Sequence, residues 1–190
     1  MDSHSNIGEP GRVSVRGHTG ILSPMFKRLA FIPVLFLVGC AEEPPSQAPE
    51  LATEPVVKEV QAEDGECPYL DSQAVAQMNG QKVLRVGVDK QFEVPACQFW
   101  SYWEEPQLTV IVREMASEGG ARAVVDHYAP VAETSPAEEP EGWSGGRGPV
   151  EGGAVYAVSK GATAVVVLTD QEQSVKAQIV AEETIRNLGL

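Results

Sequence analysis

The stretch Gly142–Gly146, which reads GWSGG, comes closest to a catalytic pattern in this sequence. It satisfies G-x-S-x-G, in which a nucleophilic serine lies on a sharp turn between a strand and a helix. Pro140 precedes it and a run rich in glycine and proline follows, so neither the strand nor the helix is predicted. Past residue 39 the chain holds one histidine, His127, to act as a base for Ser144. The pattern therefore favours a turn-rich loop over a serine nucleophile.

Three carboxylates, Glu138, Glu139 and Glu141, come just before this motif. Carboxylate oxygens bind Ca²⁺, but a calcium loop places them at alternating positions, and this run does not. His127 is a lone histidine on a predicted helix, whereas a metal site needs several converging ligands. We therefore expect a solvated charge run, with no metal and no cofactor.

Aromatic side chains are the better binding candidates. Trp100, Tyr102 and Trp103 lie on one predicted strand, and Trp143 lies in a long polar loop predicted over 131–152. Aromatic residues on both faces of a strand usually mean that both faces are packed, which is the main interpretation. Alternatively, Trp100 and Tyr102 form the floor of a groove under the loop, because long loops often bind ligands and Trp and Tyr dominate binding hot spots. The candidate binding residues are Trp100, Tyr102 and Trp143.

The stretch Lys27–Cys40, which reads KRLAFIPVLFLVGC, predicts export. Basic residues followed by a short apolar run and a small residue are typical of a signal peptide, and the run is shorter than the roughly 20 residues that span a bilayer. The final LVGC resembles a bacterial lipobox, which implies diacylglyceryl attachment to Cys40 and cleavage before it. We expect residues 1–39 to be the signal peptide and the mature chain to be held by acyl chains on the outer face of the cytoplasmic membrane. Met25 is the expected true start, and residues 1–24 are then either untranslated or an extended basic region of the signal peptide. A plain signal peptide or a short buried helix is the alternative to a lipoprotein signal.

The chain from Cys40 onward is strongly acidic. Residues 1–39 contain four of the 14 basic and two of the 27 acidic residues, which leaves 10 against 25 and a net charge of −15. Phosphate backbones and anionic lipid headgroups repel such a chain. We therefore do not expect nucleic acid as a partner.

Two further cysteines, Cys67 and Cys97, remain after the one assigned to lipid. An even pair in an oxidising compartment predicts a disulfide, and two free buried thiols are the alternative. Closing a loop of about 30 residues stabilises a fold by roughly 3.6 kcal/mol on the chain-entropy estimate. No C-x-x-C occurs, so a thioredoxin-type redox role is not supported.

The exported chain divides into a tether and one domain. Residues 40–65 hold four prolines and no aromatic residue, and Glu42–Glu66 contains eight acidic residues against one lysine. Such a segment buries too little apolar surface to offset the entropy that it would lose on ordering. We therefore predict an extended tether, and a disordered binding segment is the alternative. Residues 66–190 are long enough for one hydrophobic core and not for two.

Periodicity and capping residues predict the order α-β-β-β-α-β-β-α within this domain. Hairpin signals favour an antiparallel sheet, and strands that are apolar on both faces favour helices on both sides. We predict an α+β fold with a central antiparallel sheet of about five strands and helices packed on both faces. The predicted helices cover 72–79, 117–129 and 171–188, and the predicted strands cover 83–88, 97–103, 108–115, 154–159 and 162–169.

The runs Cys67–Leu70 (CPYL) before a short helix and Cys97–Trp100 (CQFW) on a strand resemble a group of actinobacterial envelope lipoproteins classed as domains of unknown function. The order of elements also resembles the PsbP-like fold. The resemblance covers residues 67–190 and, through the lipobox, the anchor. It implies a fold and a compartment, and it carries no catalytic motif onto this chain.

These observations predict a lipid-anchored extracytoplasmic binding or assembly module of the bacterial cell envelope, without catalytic activity. Its partner is expected to be an envelope protein or a small ligand. One alternative is a cell-wall-directed hydrolase that uses Ser144 or the Glu138–Glu141 carboxylates. The other is a folded spacer whose only role is assembly.

Overall fold

The computed structural model describes residues 56–190. The predicted signal peptide, the predicted lipid attachment at Cys40 and most of the predicted tether lie outside the described residues. Within 56–190, no helix is long and apolar enough to cross a membrane.

Eight strands and three helices make up the described chain. The helices are α1 (Ser72–Asn79), α2 (Glu118–Tyr128) and α3 (Ser174–Leu188). The strands are β1 (Glu63–Asp64), β2 (Arg85–Asp89), β3 (Ala96–Trp100), β4 (Leu108–Glu114), β5 (Ser135–Ala137), β6 (Ser144–Val150), β7 (Gly153–Lys160) and β8 (Thr163–Thr169).

All the strands belong to one sheet, in the order β1-β2-β3-β4-β8-β7-β6-β5, and every neighbouring pair is antiparallel. The chain thus builds two four-stranded meanders that meet at the β4–β8 pair. Both of these central strands are mostly buried and carry apolar residues on both faces, as expected for strands covered on two faces, although β4 also contains Thr109, Arg113 and Glu114.

The predicted fold, a PsbP-like sheet of about five strands with helices packed on both faces, is wrong, although the chain is α+β. The sheet has eight strands, and its three helices cover only part of it. Helix α2 packs mainly on β7 and β8, and α3 packs on the same two strands from the other side. Across β2 lies an extended segment instead of a helix, residues 56–62, which we call the N-terminal strap.

The side chains of β4 point alternately to the two faces of the sheet, and a separate apolar core lies on each face. Leu108, Val110 and Val112 point into a first core that includes α1 and α3. Ile111 points the other way, into a second core built around α2. Successive strand residues face opposite sides of a sheet, so the two cores lie on opposite faces.

Capping residues set the bounds of the first two helices as predicted. The Asp71 carboxylate accepts hydrogen bonds from the amides of Gln73 and Ala74, and Gly80 ends α1 in the left-handed conformation at φ 78°. The Ser117 hydroxyl accepts from the Gly120 amide at the start of α2. The third helix begins at Ser174, three residues later than predicted.

Strands β5 and β6 occupy the region predicted to be a polar loop over 131–152, and that prediction is wrong. The sequence of β6 does not indicate a strand, because its glycines have no side chains that could alternate between apolar and polar. They are required by close packing: a Cβ on Gly145 would lie 2.0 Å from the Ala157 carbonyl oxygen, and one on Gly146 would lie 2.6 Å from Thr134 Oγ1. The strand therefore forms through backbone contacts that sequence periodicity does not report.

The predicted disulfide is confirmed. Cys67 and Cys97 are bonded across a sequence separation of 30 residues. The bond ties the segment before α1 to β3 inside the first core.

Candidate binding groove

An open groove of about 600 Å³ lies on the second face of the sheet, over β3 and β4 and beside the end of α2. It occupies the part of this face that α2 does not cover. Four parts of the chain supply its surface: the N-terminal strap, the sheet, the β3–β4 loop and the last turn of α2. The lining residues are Val57, Lys58, Glu59, Val60, Arg85, Gln98, Trp100, Glu104, Glu105, Pro106, Thr109, Ile111, His127, Tyr128 and Leu168.

The floor of the groove combines hydrogen-bonding and apolar groups. Gln98 and Thr109 face each other across β3 and β4, and the Gln98 amide donates to the Thr109 hydroxyl at 3.3 Å. Ile111 and Leu168 flank them on the same face. An amide, a hydroxyl and two aliphatic chains together offer a ligand both polar and apolar contacts.

Trp100 forms one wall and is held from three directions. Its indole N–H donates to the Glu104 carbonyl at 3.0 Å. The Arg85 guanidinium carbon lies 3.7 Å from the ring centroid, and Arg85 also meets Asp64 at 3.5 Å. The ring lies against Gly87, where a Cβ would come within 2.9 Å of Cζ3. Only glycine at that position lets the ring lie flat on β2.

The end of α2 forms the opposite wall. The rings of His127 and Tyr128 make an edge-to-face contact with centroids 4.9 Å apart. Burial raises the pKa of the Tyr128 hydroxyl, and the nearby Arg113 charge opposes part of that rise. Tyr128 therefore stays a neutral donor and acceptor at the groove.

The N-terminal strap closes the groove along β2 and is held by two buried polar side chains. The Arg113 guanidinium donates to the Val56 carbonyl at 3.3 Å. The Asp89 carboxylate accepts from the Gln61 amide at 2.7 Å and from Gln91. Burial raises the pKa of Asp89, but hydrogen bonds from Gln91 and Gln61, with the Lys58 charge, bring it below its usual value.

The β3–β4 loop differs from its prediction. Strand β3 ends at Trp100, three residues earlier than predicted, because the indole of Trp100 turns onto the loop carbonyl of Glu104. Tyr102 and Trp103 therefore leave the sheet, and they are 75% and 74% exposed. The predicted assignment of Tyr102 to a strand face is wrong.

A family profile for a domain of unknown function, DUF2020, matches residues 50–190. The chain belongs to the DUF2020 family. This match confirms the expected resemblance to domains of unknown function. Among curated proteins, none matches the chain.

The DUF2020 domain does not bring the three candidate aromatic residues together. Trp100 lies in the groove wall and Tyr102 on the exposed loop. Trp143 is 3% exposed and belongs to the first core, on the opposite face of the sheet, with Lys160 Nζ 5.9 Å from its ring centroid. The groove residues Arg85, Gln98 and Thr109 were not candidates, because cross-strand register brings them to Trp100 and the sequence does not state that register.

The residues considered for catalysis lie in other parts of the DUF2020 domain. Ser144 begins β6, and its hydroxyl accepts from the Arg122 guanidinium at 3.4 Å. The serine is thus at the start of a strand and not on a turn between a strand and a helix.

Glu138 and Glu139 border a separate cavity of about 270 Å³ beside Arg147 and Tyr156. The Tyr156 hydroxyl donates to the Glu139 carbonyl, and burial raises the pKa of Tyr156 to about 12. Across residues 56–190, no group of three or more His, Cys, Asp or Glu side chains could hold a metal ion.

Proposed function

We propose that this protein is a lipid-anchored binding or assembly module on the outer face of the cytoplasmic membrane, in an actinobacterial type of cell envelope, without catalytic activity. The groove over β3 and β4 is its ligand site. The observation that carries the proposal is the groove itself, an open concavity of about 600 Å³ on the part of the second sheet face that α2, within residues 56–190, leaves uncovered.

The groove has the features of a ligand site. Its volume falls within the roughly 300–1,000 Å³ of small-molecule sites. It offers an aromatic wall at Trp100, hydrogen-bonding groups at Gln98 and Thr109, and both cationic and anionic rims at Arg85 and Glu105. The side chains of Trp100, Gln98, Thr109 and Arg85 are fixed by contacts within the domain, so they need little ordering when a ligand enters.

Other observations support the proposed location on the outer face of the cytoplasmic membrane. The lipobox-like LVGC and the acidic, proline-rich segment after it support an anchor and a tether. The bonded pair Cys67–Cys97 fits an oxidising compartment. The net negative charge disfavours nucleic acid as the ligand.

Native mass spectrometry on the full chain, purified gently from its own membranes, tests both parts. We expect a diacylglyceryl mass on Cys40 and a second, non-covalent mass on the folded domain. The non-covalent mass should be lost in Gln98→Leu, which removes the amide from the groove floor.

A matched control is Gln178→Leu. Gln178 is also half-buried and hydrogen-bonded, but it lies on α3 beside Arg147, outside the groove lining. A bound mass that survives Gln98→Leu, or a bare domain in the wild type, would contradict the groove as a ligand site. An unmodified Cys40 would contradict the anchor and leave the groove result unaffected.

A further inference from the structure

The β3–β4 loop, residues 101–106, presents two aromatic side chains to solvent. Tyr102 is 75% exposed and Trp103 is 74% exposed, and they are adjacent in the chain. The other large hydrophobic side chains exposed within residues 56–190 are aliphatic. We call this loop the aromatic tip. Adjacent exposed Tyr and Trp form a patch of the side chains that carry most binding energy at protein interfaces.

The aromatic tip is fixed to the domain at both ends. On one side the Trp100 indole N–H donates to the Glu104 carbonyl at 3.0 Å. On the other the Gln107 amide donates to the Phe99 carbonyl at 2.8 Å, and its buried side chain donates to the Lys82 carbonyl at 3.1 Å. These bonds hold the backbone from which both rings project. A partner would therefore meet a pre-organised surface and pay little ordering entropy.

The charge around the two rings is negative. Glu104 and Glu105 follow Trp103 directly, and the loop contains no lysine or arginine. Arg85 lies close by but is stacked on Trp100 and paired with Asp64. Over residues 56–190 the sequence holds 10 basic and 21 acidic side chains, a net charge of −11. An anionic bilayer or a polyanion is repelled by this surface, whereas a basic surface is attracted to it.

We propose that the aromatic tip docks a partner protein whose surface offers an apolar pocket rimmed by lysine and arginine. Tyr102 and Trp103 fill the pocket, and Glu104 and Glu105 pair with its rim. The two rings contribute most of the affinity. The carboxylates raise the rate of association and fix the orientation of the partner. This docking surface adjoins the groove, because Glu104 and Glu105 also line its rim, but it does not include the groove floor at Gln98 and Thr109.

Photo-crosslinking in cells tests the proposal with the full-length chain. Trp103→p-benzoylphenylalanine is expressed in the protein's own host, irradiated, and its covalent adducts are identified by mass spectrometry. We expect one protein adduct with a basic surface. Val131→p-benzoylphenylalanine is the matched control, because Val131 is 80% exposed and lies on another loop. The control should not give this adduct.

Charge and groove variants then define the contact. Glu104→Lys with Glu105→Lys should reduce the adduct at least about tenfold, and Gln98→Leu should leave it unchanged. With the purified partner and the full chain, Trp103→Ala should raise Kd at least about tenfold, and higher ionic strength should weaken the wild-type complex.

Any of four results would overturn the docking surface. These are no protein adduct at position 103, equal yields at positions 103 and 131, an adduct with lipid or glycan only, and an adduct that is insensitive to the charge reversal. Each variant is checked for the wild-type thermal transition, so that a loss of binding is not a loss of fold.

Discussion

The Arg85 guanidinium carbon lies 3.7 Å from the centroid of the Trp100 ring. The two residues are partners in the register between β2 and β3, so the contact follows from strand pairing. A cation over a tryptophan face at a partly exposed site contributes about 0.5–1 kcal/mol. This pair makes one wall of the groove.

Tryptophan quenching reports on this wall. Of the three tryptophans in the chain, Trp103 is exposed, whereas Trp100 and Trp143 are buried. We expect acrylamide to quench one tryptophan readily in the wild type and two in Arg85→Ala, which uncovers the face of Trp100. Lys160→Ala, beside Trp143, is the control and should not change the accessible fraction. Two accessible tryptophans in the wild type would mean that the groove wall is not formed as described.

The glycines of β6 provide a stability test. Gly145→Ala places a Cβ 2.0 Å from the Ala157 carbonyl oxygen, so β6 and β7 must move apart. We expect it to lower the free energy of unfolding by about 3 kcal/mol, at the upper end for overpacking.

The control for this substitution is Gly148→Ala in the same strand. Its nearest neighbour would be Thr134 Cγ2 at 3.5 Å, an ordinary contact. Its effect should be smaller than about 1 kcal/mol. Urea unfolding of both variants makes the comparison, and equal effects would contradict the close β6–β7 approach.

Asp89 makes stability depend on pH. Its pKa in the folded domain lies below the usual 3.8, so the carboxylate contributes stability above that value, and the contribution is lost as pH falls through the folded pKa. Urea unfolding at pH 7, 5 and 3 should show a difference between wild type and Asp89→Asn that narrows toward low pH. A difference that stays constant over this range would mean that the Gln61 and Gln91 bonds do not depend on the charge.

Ser144 provides the test of a hydrolase. It begins a strand, and its described side-chain partner is Arg122. We expect a fluorophosphonate probe to leave the purified protein unlabelled, with no difference between wild type and Ser144→Ala. Labelling of wild type that is lost in Ser144→Ala would establish an activated serine and contradict the proposal of a non-catalytic module.

Local signals predicted the parts of the fold that depend on local interactions. Asp71 and Gly80 bound α1 because capping is a contact between near neighbours. The β7–β8 hairpin followed from two apolar runs around a turn that contains Gly161. The buried stripe of α3 followed from helical spacing.

The parts of the fold that the sequence did not predict depend on contacts between residues that are far apart in the chain. Strand β1 has two acidic residues and exists through its pairing with β2. Strand β6 exists because Gly145 allows close approach to Ala157. The groove was missed for the same reason, because register between strands brings Arg85 onto Trp100 and Gln98 beside Thr109. Hydrophobic periodicity describes each strand separately and does not give these pairings.

The N-terminal strap also determines how a mechanical load enters the domain. A pull on the chain before Val56 acts first on the bonds that the strap makes at Val56, Lys58, Glu59 and Gln61, before it reaches strand β1. Residues 57–60 of the strap are also a wall of the groove. Tension and the proposed ligand would therefore act on the same length of backbone. Binding of that ligand in the groove would raise the force needed to detach the strap, and a taut chain would lower the affinity for it by the same coupling free energy.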